Sequence, residues 1–241
     1  MKKMAILSCA ALLTLGTATL SSAYSTYFGQ DSGSGEGTRL SSHLNSDAAR
    51  ASFMSNLSGV GTETFDGFTT GTSGPLSLSF AGAGTATIKG TGEVATVISG
   101  TNGVGRYPIS GYNYWESGND FSIEFSQAVA AFGFYGIDIG DFNGQVLLDL
   151  YSGGTKTVNI GNSINVYGGG VLYFGIIDTE DLFTKITFNN TAGGADYFGF
   201  DDMTIGSIEQ VQNPVPEPST LLLLGGGLLG LGFARKRFAK K

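Results

Sequence analysis

Residues 129–139 read Val129-Ala-Ala-Phe-Gly-Phe-Tyr-Gly-Ile-Asp-Ile139, and this stretch decides the fold. It is apolar on both faces, rich in aromatic residues and free of proline, so it reads as the central strand of a covered sheet. Asn143-Gly144 separates it from Val146, Leu148 and Leu150, whose period of two marks another strand. Asn-Gly between two such runs predicts a hairpin with a type I′ turn, because both residues tolerate positive φ. Ser152-Gly153-Gly154 turns the chain into residues 155–160, and further strands are expected at 171–177, 185–188 and 197–205.

The same pattern extends upstream. Residues 121–125 alternate through Ile123, and strands at 85–89 and 94–99 are parted by Gly90-Thr91-Gly92. Residues 75–80 set Leu76, Leu78 and Phe80 against serines, and residues 62–68 form a short first strand. Many short strands, turn signals between them and no helix–strand alternation predict an all-β fold. The architecture expected is an antiparallel β-sandwich, jelly-roll-like, with one short N-terminal helix. That helix is expected over 46–57, capped by Asn45 or Ser46, with Asp47 in its first turn. Ala49, Phe53 and Leu57 recur every four residues along it, and it should end near Gly59. Phe-Gly recurs in AFGFYGIDIGD, YFGIIDTED and YFGFDDMTIG, which reads as similar strands ending in similar turns rather than a repeat array.

Both ends of the chain carry signals. Lys2 and Lys3 precede a mostly apolar stretch at 4–20, and Ser21-Ser22-Ala23 supplies small residues for signal-peptidase cleavage after Ala23. The single cysteine, Cys9, lies inside this peptide, so the exported chain has no disulfide and no thiolate metal site. The expected organisation is a signal peptide at 1–23, a flexible Gly/Ser-rich leader at 24–45 and the sandwich with its helix at 46–210. A Pro-rich linker follows at 211–220, then a hydrophobic segment, taken as a helix, and a basic tail at 221–241.

Charge is uneven. Of 13 Lys and Arg, two precede residue 24 and five follow residue 234, which leaves six; of 20 Asp and Glu, only Glu217 is in the tail, which leaves 19. The body is therefore near −13. Such a surface excludes nucleic acid as partner, because phosphate binding needs clustered Lys and Arg. Divalent cations, or polysaccharide met through hydrogen bonds, suit it better.

Catalytic motifs are missing. His43 is the only histidine, and the sequence holds no Gly-x-Ser-x-Gly and no His-Glu-x-x-His, so no enzyme is expected. Carboxylate-only chemistry needs no histidine, but most acids here sit in or beside predicted turns. Glu63 and Asp66 on the first strand, with Asp196, Asp201 and Asp202 flanking the last, could meet if those strands are neighbours. Glu63, Asp66, Asp201 and Asp202 are the candidate calcium ligands. An EF-hand over Asp138, Asp141, Asn143 and Gly144 fails on spacing, since loop positions one and twelve would be Ile139 and Leu150. Tyr112, Tyr114 and Trp115 offer a sugar-stacking platform, or else Trp115 starts a strand and fills the core.

The tail has three parts in order: Val215-Pro216-Glu217-Pro218-Ser219-Thr220, an apolar run at 221–234, and Arg235, Lys236 and Arg237. The apolar run is short for a membrane span and is softened by Gly225, Gly226 and Gly227. The basic residues after it favour the cytoplasmic side. Two prolines keep the chain before it extended and accessible, as a processing site needs. These residues resemble the PEP-CTERM sorting signal. The resemblance implies recognition and cleavage by exosortase, a transpeptidase-like membrane protease of Gram-negative and cyanobacterial envelopes. It implies a precursor tethered to the inner membrane, then release to the cell surface or the exopolysaccharide matrix. In the body, ETFDGF, AFGFYGIDIGDF and DYFGFDDMTIG also look like a recurrent β-domain found ahead of this tail. The expected protein is thus an exported, non-enzymatic surface or matrix protein that meets signal peptidase and exosortase, with exopolysaccharide as the candidate matrix partner. The alternative is a calcium-stabilised, lectin-like module.

Overall fold

A computed structural model describes residues 24–192 and 197–212. The signal peptide with Ala23, Asp196, and the tail with its sorting residues lie outside the described residues. In order the elements are β1 (Tyr24–Asp31), α1 (Leu44–Met54), β2 (Thr62–Glu63), β3 (Leu76–Phe80), β4 (Gly84–Thr96) and β5 (Asn113–Val129). Then come β6 (Ala131–Ile137), β7 (Val146–Tyr151), β8 (Thr155–Asn159), β9 (Val171–Asp178), β10 (Phe183–Asn190), β11 (Phe198–Gly206) and a 3-10 turn, Ile208–Gln210.

Every strand pairing is antiparallel, and the strands form one curled sheet. The curl is made by β5. Its first part, at Trp115–Ser117, lies between β4 and β11; its second part, from Phe121, lies between β4 and β10. β4 follows it round the corner with a register shift between Gly90 and Gly92. Bulges are the usual device by which a strand passes from one layer to the other. Gly90 and Gly92 therefore do not separate two strands, as expected from sequence, but bend a single long one. A Cβ on Gly92 would sit 2.6 Å from Trp115 Nε1 and from the Glu116 carbonyl oxygen.

One layer then holds β1, β9, β6, β11 and the start of β5; the other holds β3, the start of β4, the end of β5, β10, β7 and β8. Side chains from both layers fill the space between them, in the jelly-roll-like β-sandwich that the alternation predicts. Phe188 of β10 faces Phe132, Phe134 and Phe200 of the opposite layer at centroid distances of 6.3, 5.4 and 5.9 Å. β6 is buried along its whole length between β9 and β11, as a central strand should be.

The outer face of the first layer is covered by α1. Ala49 and Phe53 of α1, with Leu57 just beyond it, pack there against Tyr135, Ile137, Tyr173 and Ile177. This explains the Phe-Gly echo. Phe132, Phe174 and Phe198 point into the sandwich core, and the glycine after each faces outward, where a neighbour lies close. A Cβ on Gly133 would meet Tyr173 Oη at 2.4 Å, and one on Gly175 would meet Phe53 at 2.6 Å.

Four further expectations are corrected. Residues 24–31 are not a loose leader but an edge strand paired along its length with β9. Asn143-Gly144 does not close a hairpin: β6 pairs with β9 and β11, while β7 pairs with β8 and β10. The helix starts at Leu44 because Asn45 and Ser46, the expected caps, give their backbone N–H groups and side chains to Asp31 of β1. The first strand after it is only two residues long and turns away at Phe65, whose φ is 59°.

Residues 24 and 212, the first and last described, lie at one end of the sandwich. Tyr24 pairs with Asp178, and Ala131 pairs with both Ile177 and Gly206. The loops after β1 and β6 lie at the opposite end.

Candidate functional site

The expected first-to-last neighbourhood exists: Glu63 pairs with Met203 and Thr62 with Thr204. It does not assemble the expected ligands. Glu63 Oε1 accepts the Phe65 N–H at 2.7 Å, and Asp66 Oδ1 accepts those of Tyr112 and Asn113 at 2.9 and 3.0 Å. Asp201, fully buried, accepts the N–H groups of Ile109 and Ser110 and pins that loop to β11. Burial pushes the Asp201 carboxyl well above the usual range, and the neighbouring Asp202 charge adds to it. Asp202, at φ 50°, accepts Ser110 Oγ and lies 3.9 Å from the Arg50 guanidinium. These acids tie loops to strands.

The aromatic platform is likewise absent. Successive side chains of a strand point to opposite faces. On β5 this sends Trp115 into the sandwich core and Tyr114 under the outer cover, both fully buried, while Tyr112 alone is exposed. The alternative reading, Trp115 as core, is the one the fold adopts.

The acids that do converge lie at the end remote from the termini. Glu36, Asp138 and Asp141 place one carboxylate oxygen each within 4.8 Å of one another. Asp138 follows β6 at φ 68° and is 3% exposed. Its Oδ1 accepts the Gly169 N–H at 2.7 Å, and its Oδ2 lies 3.6 Å from Arg106 Nη1. Arg106 is itself shared, with Nε on Glu116 Oε1 at 2.9 Å and Nη1 on the Tyr197 carbonyl at 3.1 Å. Asp141 Oδ1 is buried and has no hydrogen-bond partner. Two glycines admit the carboxylates: a Cβ would fall 2.1 Å from Glu36 Oε1 at Gly168 and 2.3 Å from Asp138 Oδ1 at Gly105. Burial pushes the Asp138 carboxyl up to about 7; the charges of Asp141 and Glu36 push the same way, against the Gly169 N–H and Arg106. Oxygen-only donors from two loops, one of them unsatisfied, are the donor set a hard divalent cation uses.

Sequence reading missed this group. Glu36 sits in the expected leader, Asp138 in the expected central strand at 129–139, and Asp141 just ahead of Asn143-Gly144, the expected hairpin turn. The signal available was Asp138 and Asp141 three residues apart with Gly140 between them, just after the central strand.

The β-sandwich body is followed by a candidate sorting tail. Residues 214–237 match the PEP-CTERM protein-sorting motif. This motif implies export and processing by exosortase. The search of curated proteins finds no match. Among solved structures, the K2 cleaved adhesin domain of Lys-gingipain is similar at 14% identity, over 61% of this chain and 98% of that one, with a TM-score of 0.37. So low an overlap says nothing about a ligand for this chain. Among the described residues no helix is long and apolar enough to cross a membrane.

Proposed function

We propose that the processed protein resides at the cell surface or in the extracellular matrix, where its sandwich works by binding rather than by catalysis. The observation that carries this is the sorting motif at 214–237 directly behind a folded body whose last backbone tie among the described residues is Gln212 N–H to the Asn56 carbonyl. The surroundings of His43 support the non-catalytic part. Its Nδ1 lies 2.9 Å from Asp47 Oδ1, off the line of a hydrogen bond, and that oxygen accepts Tyr135 Oη at 2.6 Å. The only histidine thus lies beside a structural tyrosine–aspartate pair at the helix start.

Charge narrows the partner. Arg50, Lys89, Arg106, Lys156 and Lys185 each lie within 4 Å of a carboxylate, and Arg39 sits over the Tyr107 ring at 5.1 Å. The body's six cations are thus engaged, and its excess is negative. A neutral exopolysaccharide can meet it directly; an acidic one needs divalent cations between. Fractionation tests the assignment: intact protein should reach the outer surface or matrix, and a chain lacking residues 214–241 should leave with the medium. Equal distribution of the two would refute it.

A second reading is favoured by the unsatisfied Asp141 Oδ1. In it, calcium is held by Glu36, Asp138 and Asp141, not by Glu63, Asp66, Asp201 and Asp202, and fixes the loops of that end for glycan contact. A calcium-dependent shift in the melt of residues 24–212, lost on Asp141→Asn, would support it; an unchanged melt would not.

A further inference from the structure

The position of the last described residues restricts how the tail is reached. Gln210 is buried and fixed by three bonds: Nε2 donates to the carbonyls of Gly59 and Ala81 at 2.7 and 3.0 Å, and Oε1 accepts the Ser207 N–H at 3.0 Å. The backbone adds Ser58 N–H to Gln210 O and Gln212 N–H to Asn56 O, at 2.9 and 2.8 Å, and a bridge between Leu57 and Val211. The chain is therefore clipped to the body through Gln212, and Pro216 is four residues on. Four residues span about 14 Å at full extension, less than the width of a small domain. A membrane protease that cuts near Pro216-Glu217-Pro218 works against the surface from which Gln212 emerges.

That surface is the end of the sandwich at which the first and last described residues, Tyr24 and Gln212, lie. Its turns present Ser58 and Glu209, and the end of β5 presents Gln127, to solvent around the Gln210 clip; Gln127 Nε2 donates to the Gly82 carbonyl there at 3.3 Å. We propose that this end is the docking face for the membrane-bound processing enzyme. The opposite end, with Glu36, Asp138, Asp141 and the exposed Tyr167, is left facing away from it. This rests on the sorting reading and adds to it a surface and an orientation. The occupant is fixed by covalent reach: whatever cuts the motif is held within that span of the clip.

The test uses full-length precursor in a Cys9→Ser background, so that a single introduced cysteine is unique. Ser58→Cys or Gln127→Cys carries a bulky polyethylene-glycol maleimide at the near end, and Tyr167→Cys carries it at the far end. Membranes containing exosortase then cut the tail. Label at Ser58 or Gln127 should slow cleavage roughly tenfold, and label at Tyr167 should leave it unchanged. Insertion of about ten Gly/Ser residues after Gln212 should restore the rate of the near-end adducts. Equal rates for near and far labels, or no rescue by the insert, would overturn the docking face while leaving the sorting reading intact. No cleavage of unlabelled precursor would overturn the sorting reading, and this proposal with it.

Discussion

Gly133 of β6 and Gly175 of β9 are direct partners across an antiparallel pair, and the Phe53 ring lies over both. Two absent side chains on adjacent strands make the slot that α1 fills. Tyr27 and Tyr173 flank the ring at centroid distances of 5.7 and 5.9 Å, so it has little room to retreat.

Gly175→Ala should therefore lift α1 and destabilise the body by about 1–3 kcal/mol through overpacking. Phe53→Ala should cost about 3–5 kcal/mol, because the slot is left empty. Urea melts measure both. Unchanged midpoints would mean that α1 is not held by this slot.

Phe200 is the aromatic hub of the interior, with Phe65, Phe121, Phe132, Phe134 and Phe188 at centroid distances of 4.9 to 6.4 Å. Phe200→Ala should cost about 3–5 kcal/mol, whereas Tyr112→Ala, at an exposed site, should change stability by less than about 0.5 kcal/mol. Equal losses would contradict the placement of the two rings.

Much of this was legible in the sequence because periodicity reports burial. Leu76, Leu78 and Phe80 are buried in alternation with serines, and β6, apolar throughout, is covered on both faces. What was not legible is pairing between distant segments. Asn143-Gly144 has the chemistry of a hairpin turn, but β6 finds its partners in β9 and β11, and local turn propensity cannot report that competition. β1 was hidden because its half-exposed edge residues run into a Gly/Ser stretch. The candidate calcium ligands went astray for a related reason: an acid beside a strand end often serves a backbone N–H, and which acids are left over depends on the loops.

The Glu36–Asp138–Asp141 group makes stability depend on pH in a definite direction. Asp138 has a folded value near 7 against an ordinary 3.8, so between these the native state binds more protons than the unfolded state. Stability from this group is full below the lower value and is lost as pH rises through the upper one. A cation needs the carboxylates charged, so its effect runs the other way. At pH 8, calcium at ten times its Kd should stabilise by about 1.4 kcal/mol, and at pH 5 by much less. Asp138→Asn, which keeps an acceptor for Gly169 and tolerates positive φ, should flatten both dependences. A calcium effect equal at the two pH values, or surviving in that variant, would place the ion elsewhere.

Trp115 is fully buried, with Phe65 and Phe121 at centroid distances of 6.5 and 6.4 Å. Its emission should be that of an apolar site, and matrix polysaccharide should leave it unchanged. A shift on adding glycan would restore the stacking platform that its burial removes.

The central claim is that the tail is a handle removed after export. Intact-mass spectrometry of the protein recovered from the cell surface tests it most directly. The recovered chain should begin at Tyr24 and end near Pro216–Pro218, without Arg235, Lys236, Arg237, Lys240 and Lys241. A surface-exposed population that still carries Lys241 would contradict it.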